Sequence, residues 1–206
     1  MSSETNMSVA QTLDKRQSVK FFDPTVSMSD AEFQQLMKLT LLSPTAFNIQ
    51  NWRFVRVQEE DKRQKIRAAA WDQPQMTDAS ELLVLCMDLK AWSREPARYW
   101  QHAPAEMIEG MVNNILGYYD DNAKGERDEG LRSCGLAAMS IMLVAQEMGY
   151  DSCPMSGFDF DAVGQVINLP HDHEIALIVT IGKAAEAPWP RGGRLSIDDV
   201  VLSDSF

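Results

Sequence analysis

The sequence predicts helices packed around a sheet in one domain, and three stretches carry that prediction. The first is a helix over 131–148, in which Leu136, Met139, Ile141, Met142, Leu143 and Val144 leave only a thin polar edge. Such a helix should be buried nearly all round. The second is the near-continuous apolar run over 175–181, the pattern of a central strand covered on both faces. The third is the segment opened by the capping box Ser29-Asp30-Ala31-Glu32, which sets Phe33, Leu36, Met37, Thr40 and Leu41 at helical spacing. A chain of 206 residues is large enough to bury its own core.

Composition narrows the function classes. A formal net charge of -11 argues against nucleic acid or an anionic membrane as the main partner. Cys86, Cys134 and Cys153 are odd in number and form no C-x-x-C pair, so neither a disulfide framework nor a zinc site is indicated. Residues 1–8 read as a loose polar tail without the apolar stretch of a signal peptide, which implies a reducing, cytoplasmic setting. The apolar run over 133–145 is shorter than the ~20 residues a bilayer requires, so a membrane span is rejected.

Taken in order, the chain begins with a helical start over 9–14, followed by Lys15-Arg16-Gln17-Ser18-Val19-Lys20. Arg16, Ser18 and Lys20 alternate, so an extended backbone turns all three to one side. They suit a phosphate or similar anion, and equally a solvated basic surface. After the helix opened by Ser29, Ser43-Pro44 leads into the polar loop Thr45-Ala46-Phe47-Asn48-Ile49-Gln50-Asn51 and a strand over 52–57. Asp61 should cap a helix running through Trp71, and a strand follows over 81–87. Pro104 suits the first turn of a helix bearing Met107, Ile108, Met111, Val112, Ile115, Leu116 and Tyr119. Gly149 stops the long apolar helix as a left-handed cap residue would. The chain then enters Pro154-Met155-Ser156-Gly157-Phe158, which reads either as a simple turn or as a rigid loop presenting backbone N–H groups to a ligand. Asp161 should cap a short helix ending at Leu169-Pro170. His171-Asp172-His173 lacks a third ligand nearby, so no metal is expected. The single Arg191-Gly192-Gly193-Arg194 run does not make an RNA-binding tail in so acidic a chain. No nucleophile elbow, P-loop, H-E-x-x-H or G-x-G-x-x-G is present.

Arg16-Gln17-Ser18-Val19-Lys20, followed by Ser43-Pro44-Thr45-Ala46-Phe47-Asn48-Ile49-Gln50-Asn51-Trp52, resembles the two N-terminal signatures of the FMN-dependent nitroreductase family. The departures are Thr45, where serine is common, and Asn51, where proline is usual. Pro154 to Gly157 resembles the family's Pro-x-x-Gly loop, and the resemblance extends in order from Arg16 to Arg194. It implies an α+β fold, a central mixed/antiparallel sheet surrounded by helices, in an intertwined homodimer with two FMN sites at the interface. Residues 9–206 would form one domain, with a substrate-pocket insertion around 91–125 and a C-terminal extension over 186–206.

By the same resemblance, FMN would be held by Arg16, Gln17, Ser18, Lys20, Gln75, Pro154, Met155, Ser156 and Gly157 from one subunit, and by Pro44, Thr45, Ala46 and Asn48 from the other. Arg191 and Arg194 would reach its phosphate. The Ser156 backbone N–H would bond flavin N5, and Lys20 would lie near N1/O2. Asp72 matches a flavin-contacting position but cannot donate unless protonated. Trp92, Tyr99 and Trp100 would line the acceptor pocket. The implied activity is ping-pong reduction of nitroaromatics, quinones or similar acceptors by NAD(P)H, with no side-chain nucleophile. Ene-type reduction, dehalogenation or dehydrogenation on the same fold, or flavin binding without turnover, are the alternatives.

Overall fold

A computed structural model describes residues 7–206. The first six residues of the expected tail lie outside the described ones, and Ser8 is already the N-cap of a helix. The elements run α1 Val9–Lys15, α2 Asp30–Thr40, β1 Trp52–Arg56, α3 Glu60–Ala69, α4 Gln75–Asp78, β2 Glu81–Asp88, α5 Ala105–Tyr119, α6 Ala123–Glu147, β3 Asp151–Met155, α7 Phe160–Val166, β4 His173–Gly182 and α8 Ile197–Val200. This is an α+β domain. Short 3-10 turns at Ala46–Asn48, Ala91–Ser93 and Pro96–Trp100 interrupt the loops.

The four strands lie in the order β1-β2-β4-β3, and every pair is antiparallel. The four strands thus make the antiparallel sheet of the expected fold, and an isolated parallel bridge joins Ser18 to Ser152 at its edge. Residue pattern fixes which faces of a strand are buried but not the direction of its neighbour. β2 is buried along its whole length, and β4 sits between β2 and β3, as its apolar run requires. Successive residues feed opposite faces. Val84, Cys86 and Ile178 meet Phe22, Ile66, Met76 and Val163 on one face; Leu83, Leu85, Val179 and Ile181 meet Leu36, Cys134, Ala137 and Ile141 on the other. Pro154 lies inside β3, paired with Val179, because β3 is an edge strand and an edge tolerates a missing N–H.

The long helix α6 starts at Ala123 rather than Leu131. Asn122 Oδ1 accepts from the Gly125 N–H at 2.9 Å, and the polar first turns are laced by Lys124–Asp128 and Arg132–Glu129 pairs. Apolar content alone marked only its later part. Gly149 follows its end with φ 78°, as the cap predicted. The helix is not buried all round. Cys134, Ala137, Ala138, Ile141 and Ala145 face the core, whereas Leu136 is 49% exposed and a Cβ at Gly135 would meet nothing. A cylinder ~10 Å across presents only one side to a sheet. Asp159, not Asp161, caps α7 by accepting the Ala162 N–H at 3.0 Å, and α3 begins after Glu59 without a side-chain cap.

Gly130 is where α6 comes nearest to β2: an added Cβ would lie 2.8 Å from Met87 Sδ and 2.9 Å from its Cβ. Gly130→Ala is expected to lower stability by about 1–3 kcal/mol through overpacking, despite alanine's better helix propensity. Urea unfolding checks this, and a stabilised variant would refute it.

Candidate flavin site

Residues 16–22 run beside the open edge of β3. Ser18 bridges Ser152, and the Val19 N–H donates to Ser152 O at 3.1 Å. Val19 and Phe22 are buried and pin the backbone, while Ser18 is exposed and Arg16 and Lys20 are half-buried, with a bend at Lys20. Gln17, half-buried, lies between them. Burial, together with the nearby charges of Arg191 and Arg194, lowers the Arg16 pKa. Arg16 and Lys20 in turn act on the Cys153 thiol against the upward push of burial. Arg16 thus stands within electrostatic reach of Arg191 and Arg194, and Arg16 and Lys20 within reach of Cys153 in β3. No carboxylate among the described residues pairs with any of these cations. In a chain of net charge -11, cations without carboxylate partners can receive an external anion.

The two tail arginines differ in role. Arg191 Nη2 donates to the carbonyls of Leu13 (3.1 Å), Asp14 and Arg16 (2.7 Å), capping the end of α1. It staples the tail to the site while its charge stays near Arg16. Arg194 donates only to the adjacent Gly192 and Gly193 carbonyls, at 3.5 and 3.2 Å.

Beyond β3, the backbone N–H groups of Ser156 and Gly157 donate to nothing among the described residues. Gln73 Nε2 donates to Gly157 O at 3.0 Å and so fixes the loop from the side. Gln75 is 1% exposed, with its amide 3.3 Å from both Met155 Sδ and Gln73 Oε1. Asp72 is turned away: it accepts from Arg67 Nε at 2.7 Å. Sequence reading missed Trp71, which has φ 53°, is 69% exposed and lies against Gly157. A Cβ there would meet its ring at 3.1 Å. The glycine signalled a close approach but not its partner.

The loop at 44–50 forms a second group. Among the described residues no hydrogen bond joins it to the first. Phe47, Asn48 and Gln50 all have positive φ, of 50°, 57° and 45°. For non-glycine residues this costs roughly 1–2 kcal/mol each, so the conformation must be imposed. Asn48 Nδ2 donates to Tyr99 O at 2.8 Å, and Trp100 Nε1 donates to Phe47 O at 3.1 Å. One of the two Asn48 Nδ2 hydrogens is thereby used, which leaves the other hydrogen and the side-chain oxygen for a ligand. Trp92, Tyr99 and Trp100, each half-buried, pack against Ile49, Ile115 and Tyr119 in a small core of their own. Asn51 is buried with Oδ1 unpartnered, a finding its departure from proline did not foretell.

Two other clusters are self-contained. Asp172 and His173 do gain a third group, Asp88, with ligand atoms within 4.8 Å of one another. Arg94 donates to both carboxylates, Arg53 Nη2 reaches Asp88 at 2.7 Å, and His173 Nδ1 lies 2.7 Å from Asp172. These groups neutralise one another. A cleft of about 420 Å³ is lined by Arg56, Arg63 and Glu81. Arg56 is committed there to Glu81 and Asp30, and Arg63 to the Val57, Ala79 and Ser80 carbonyls.

An antiparallel α+β domain with unpaired cations at its sheet edge, beside a loop of unused N–H groups, offers donors of the kind that hold a phosphate-bearing ligand. The chain belongs to the nitroreductase family, whose model matches residues 13–183. It is 42% identical over 186 residues to protein DrgA of Synechocystis, covering 90% of this chain and 89% of that one. It is 29% identical over 187 residues to the oxygen-insensitive NADPH nitroreductase of Helicobacter acinonychis, covering 84% and 86%. A crystal structure from Exiguobacterium sibiricum, solved in complex with FMN, superposes with a TM-score of 0.87 at 27% identity, covering 96% of this chain and 97% of that one.

Proposed function

We propose that this protein is an FMN-dependent NAD(P)H oxidoreductase that reduces nitroaromatic, quinone or similar electron-poor acceptors, working as a homodimer in a reducing compartment. The observation that carries the reading is Arg16 at the β3 edge, its carbonyl held by Arg191 at 2.7 Å and its charge near Arg194, with no carboxylate among the described residues paired to Arg16, Lys20, Arg191 or Arg194. The donor set fits a flavin mononucleotide. Cations and the Ser18 hydroxyl suit its phosphate. The unused N–H groups at Ser156 and Gly157 suit the acceptor atoms of a ring system. When bound, FMN supplies the relay of hydride equivalents between a nicotinamide and an acceptor. The chain's part is to bind, orient and tune it. Lys20 brings positive charge to stabilise the reduced, anionic cofactor.

The dimer is supported by three features of the single chain. The outer face of α6 leaves Gly135 and Leu136 uncovered. Trp189, Leu195, Ile197, Val200 and Val201 are exposed along the tail. The 44–50 loop also makes no bond to the cation cradle, as it would if it served the partner's flavin. No helix among the described residues is long and apolar enough to cross a membrane.

An anaerobic absorbance spectrum before and after NADH or NADPH tests the reading. A bound-flavin spectrum that bleaches with either nucleotide is expected. A colourless protein that takes up no added FMN would overturn it, and bound FMN that neither nucleotide reduces would leave a flavin binder without this activity. Gln75 offers a finer check. Replacing this buried neutral amide beside Met155 with lysine adds positive charge that favours the reduced cofactor. Gln75→Lys is expected to raise the flavin midpoint potential by about 30–60 mV, the two-electron equivalent of roughly 1.4–2.8 kcal/mol. An unchanged or lowered potential in a redox titration would refute the tuning role.

A further inference from the structure

The 44–50 loop holds a strained conformation, and besides its own turn bonds and the Arg53 contact to Gln50 O it is held by the chain that follows β2. Two hydrogen bonds act on the strained residues themselves: Trp100 Nε1 to Phe47 O, and Asn48 Nδ2 to Tyr99 O. The Phe47 ring is held from below by Tyr118 and Tyr119, at centroid distances of 5.5 and 6.1 Å. Tyr119 stacks on Trp92 at 5.9 Å and 16°. Trp92 Nε1 donates at 2.6 Å to Glu126, whose carboxylate is nearly fully buried and also takes Lys90 Nζ at 2.6 and 2.9 Å. Glu126 belongs to the first turns of α6. A continuous path of packed rings and charge-assisted bonds therefore joins the strained loop to the main helix of the fold.

We propose that Trp100 is a positioning residue for flavin binding. Its indole N–H, with the Tyr99 carbonyl, locks the left-handed backbone at Phe47 and Asn48, and so fixes Pro44, Thr45 and Ala46 in the form that receives the cofactor. The role of residues 91–100 is then to set one half of the cofactor site before any ligand arrives, not to touch the acceptor. This rests on the flavin reading above. The physical gain is pre-organisation: a loop already held in its binding form does not lose that freedom when FMN binds.

Trp100→Phe keeps an aromatic ring in the small core and removes the one N–H. It is expected to raise the FMN Kd about five- to tenfold, the effect of losing one hydrogen bond, and to move the bound flavin's visible circular dichroism towards that of free flavin. A purely structural role would lower the melting temperature and leave that spectrum unchanged. Amide hydrogen exchange on the wild-type chain supplies a test that needs no variant. The Asn48 and Ile49 amides, which donate to Thr45 O and Ala46 O, should exchange slowly before FMN is added and equally slowly after. Protection that appears only with FMN would overturn the proposal, as would an unchanged Kd and spectrum in a folded Trp100→Phe protein. Wild-type protein that takes up no FMN would overturn the flavin reading and this inference with it.

Discussion

Arg16→Ala is expected to weaken FMN binding by roughly 30- to 150-fold, the loss of about 2–3 kcal/mol of charge-assisted hydrogen bonding to a phosphate. The same change should leave riboflavin, which lacks the phosphate, binding within about twofold of wild type. Fluorescence-quenching titrations with both flavins measure this. Equal losses for FMN and riboflavin would move the phosphate away from Arg16.

The apoprotein should respond in the opposite direction. Arg16 is charged at neutral pH, yet burial and repulsion from Arg191 and Arg194 make that charge less favourable in the folded chain than in the unfolded one. The sign follows from the lowered pKa. The unfolded chain binds the proton more tightly, so the unfavourable contribution is present at all pH values below the folded pKa. It fades only as pH rises through the lowered value towards the ordinary arginine range, far above working conditions. Arg16→Ala removes this contribution at pH 7, so the apoprotein's melting temperature should hold or rise while FMN affinity falls. The cradle stores repulsion that its ligand relieves, and a variant that lost both affinity and apoprotein stability would contradict this account.

Leu136→Glu is expected to give a monomer that no longer retains FMN. In the single chain Leu136 is 49% exposed on the outer face of α6, beside the open position at Gly135. If the chain worked alone, a carboxylate there would change stability by no more than about 0.5 kcal/mol. In a two-fold dimer packed on this face, symmetry places the substitution twice. Each unpaired buried carboxylate then costs about 3–5 kcal/mol. FMN should be lost with the dimer, because residues 44–48 would serve the partner's site. Light scattering coupled to size-exclusion chromatography, with the flavin-to-protein absorbance ratio read across the peak, decides the matter. A Leu136→Glu protein that stays dimeric and yellow would sink the proposed interface.

The sequence by itself determined what depends on neighbours a few positions apart. Ser29 and Glu32 form their capping box, Gly149 takes its left-handed turn, and Arg16, Ser18 and Lys20 alternate beside buried Val19. Those features follow from local sterics and from the two periodicities of backbone structure. Only the tertiary structure decided which charged and polar groups are already spent. Arg191 is committed to carbonyls as far as 178 residues away, Asp72 to Arg67, and Asn48 to Tyr99 across 51 residues. It also decided that Trp92, Tyr99 and Trp100 pack beside the strained loop, and that one side of α6 is uncovered in the single chain. A residue's type states what it can bond. Which partner reaches it first depends on the path of the whole chain, and that path is set by the burial of two core layers against one sheet.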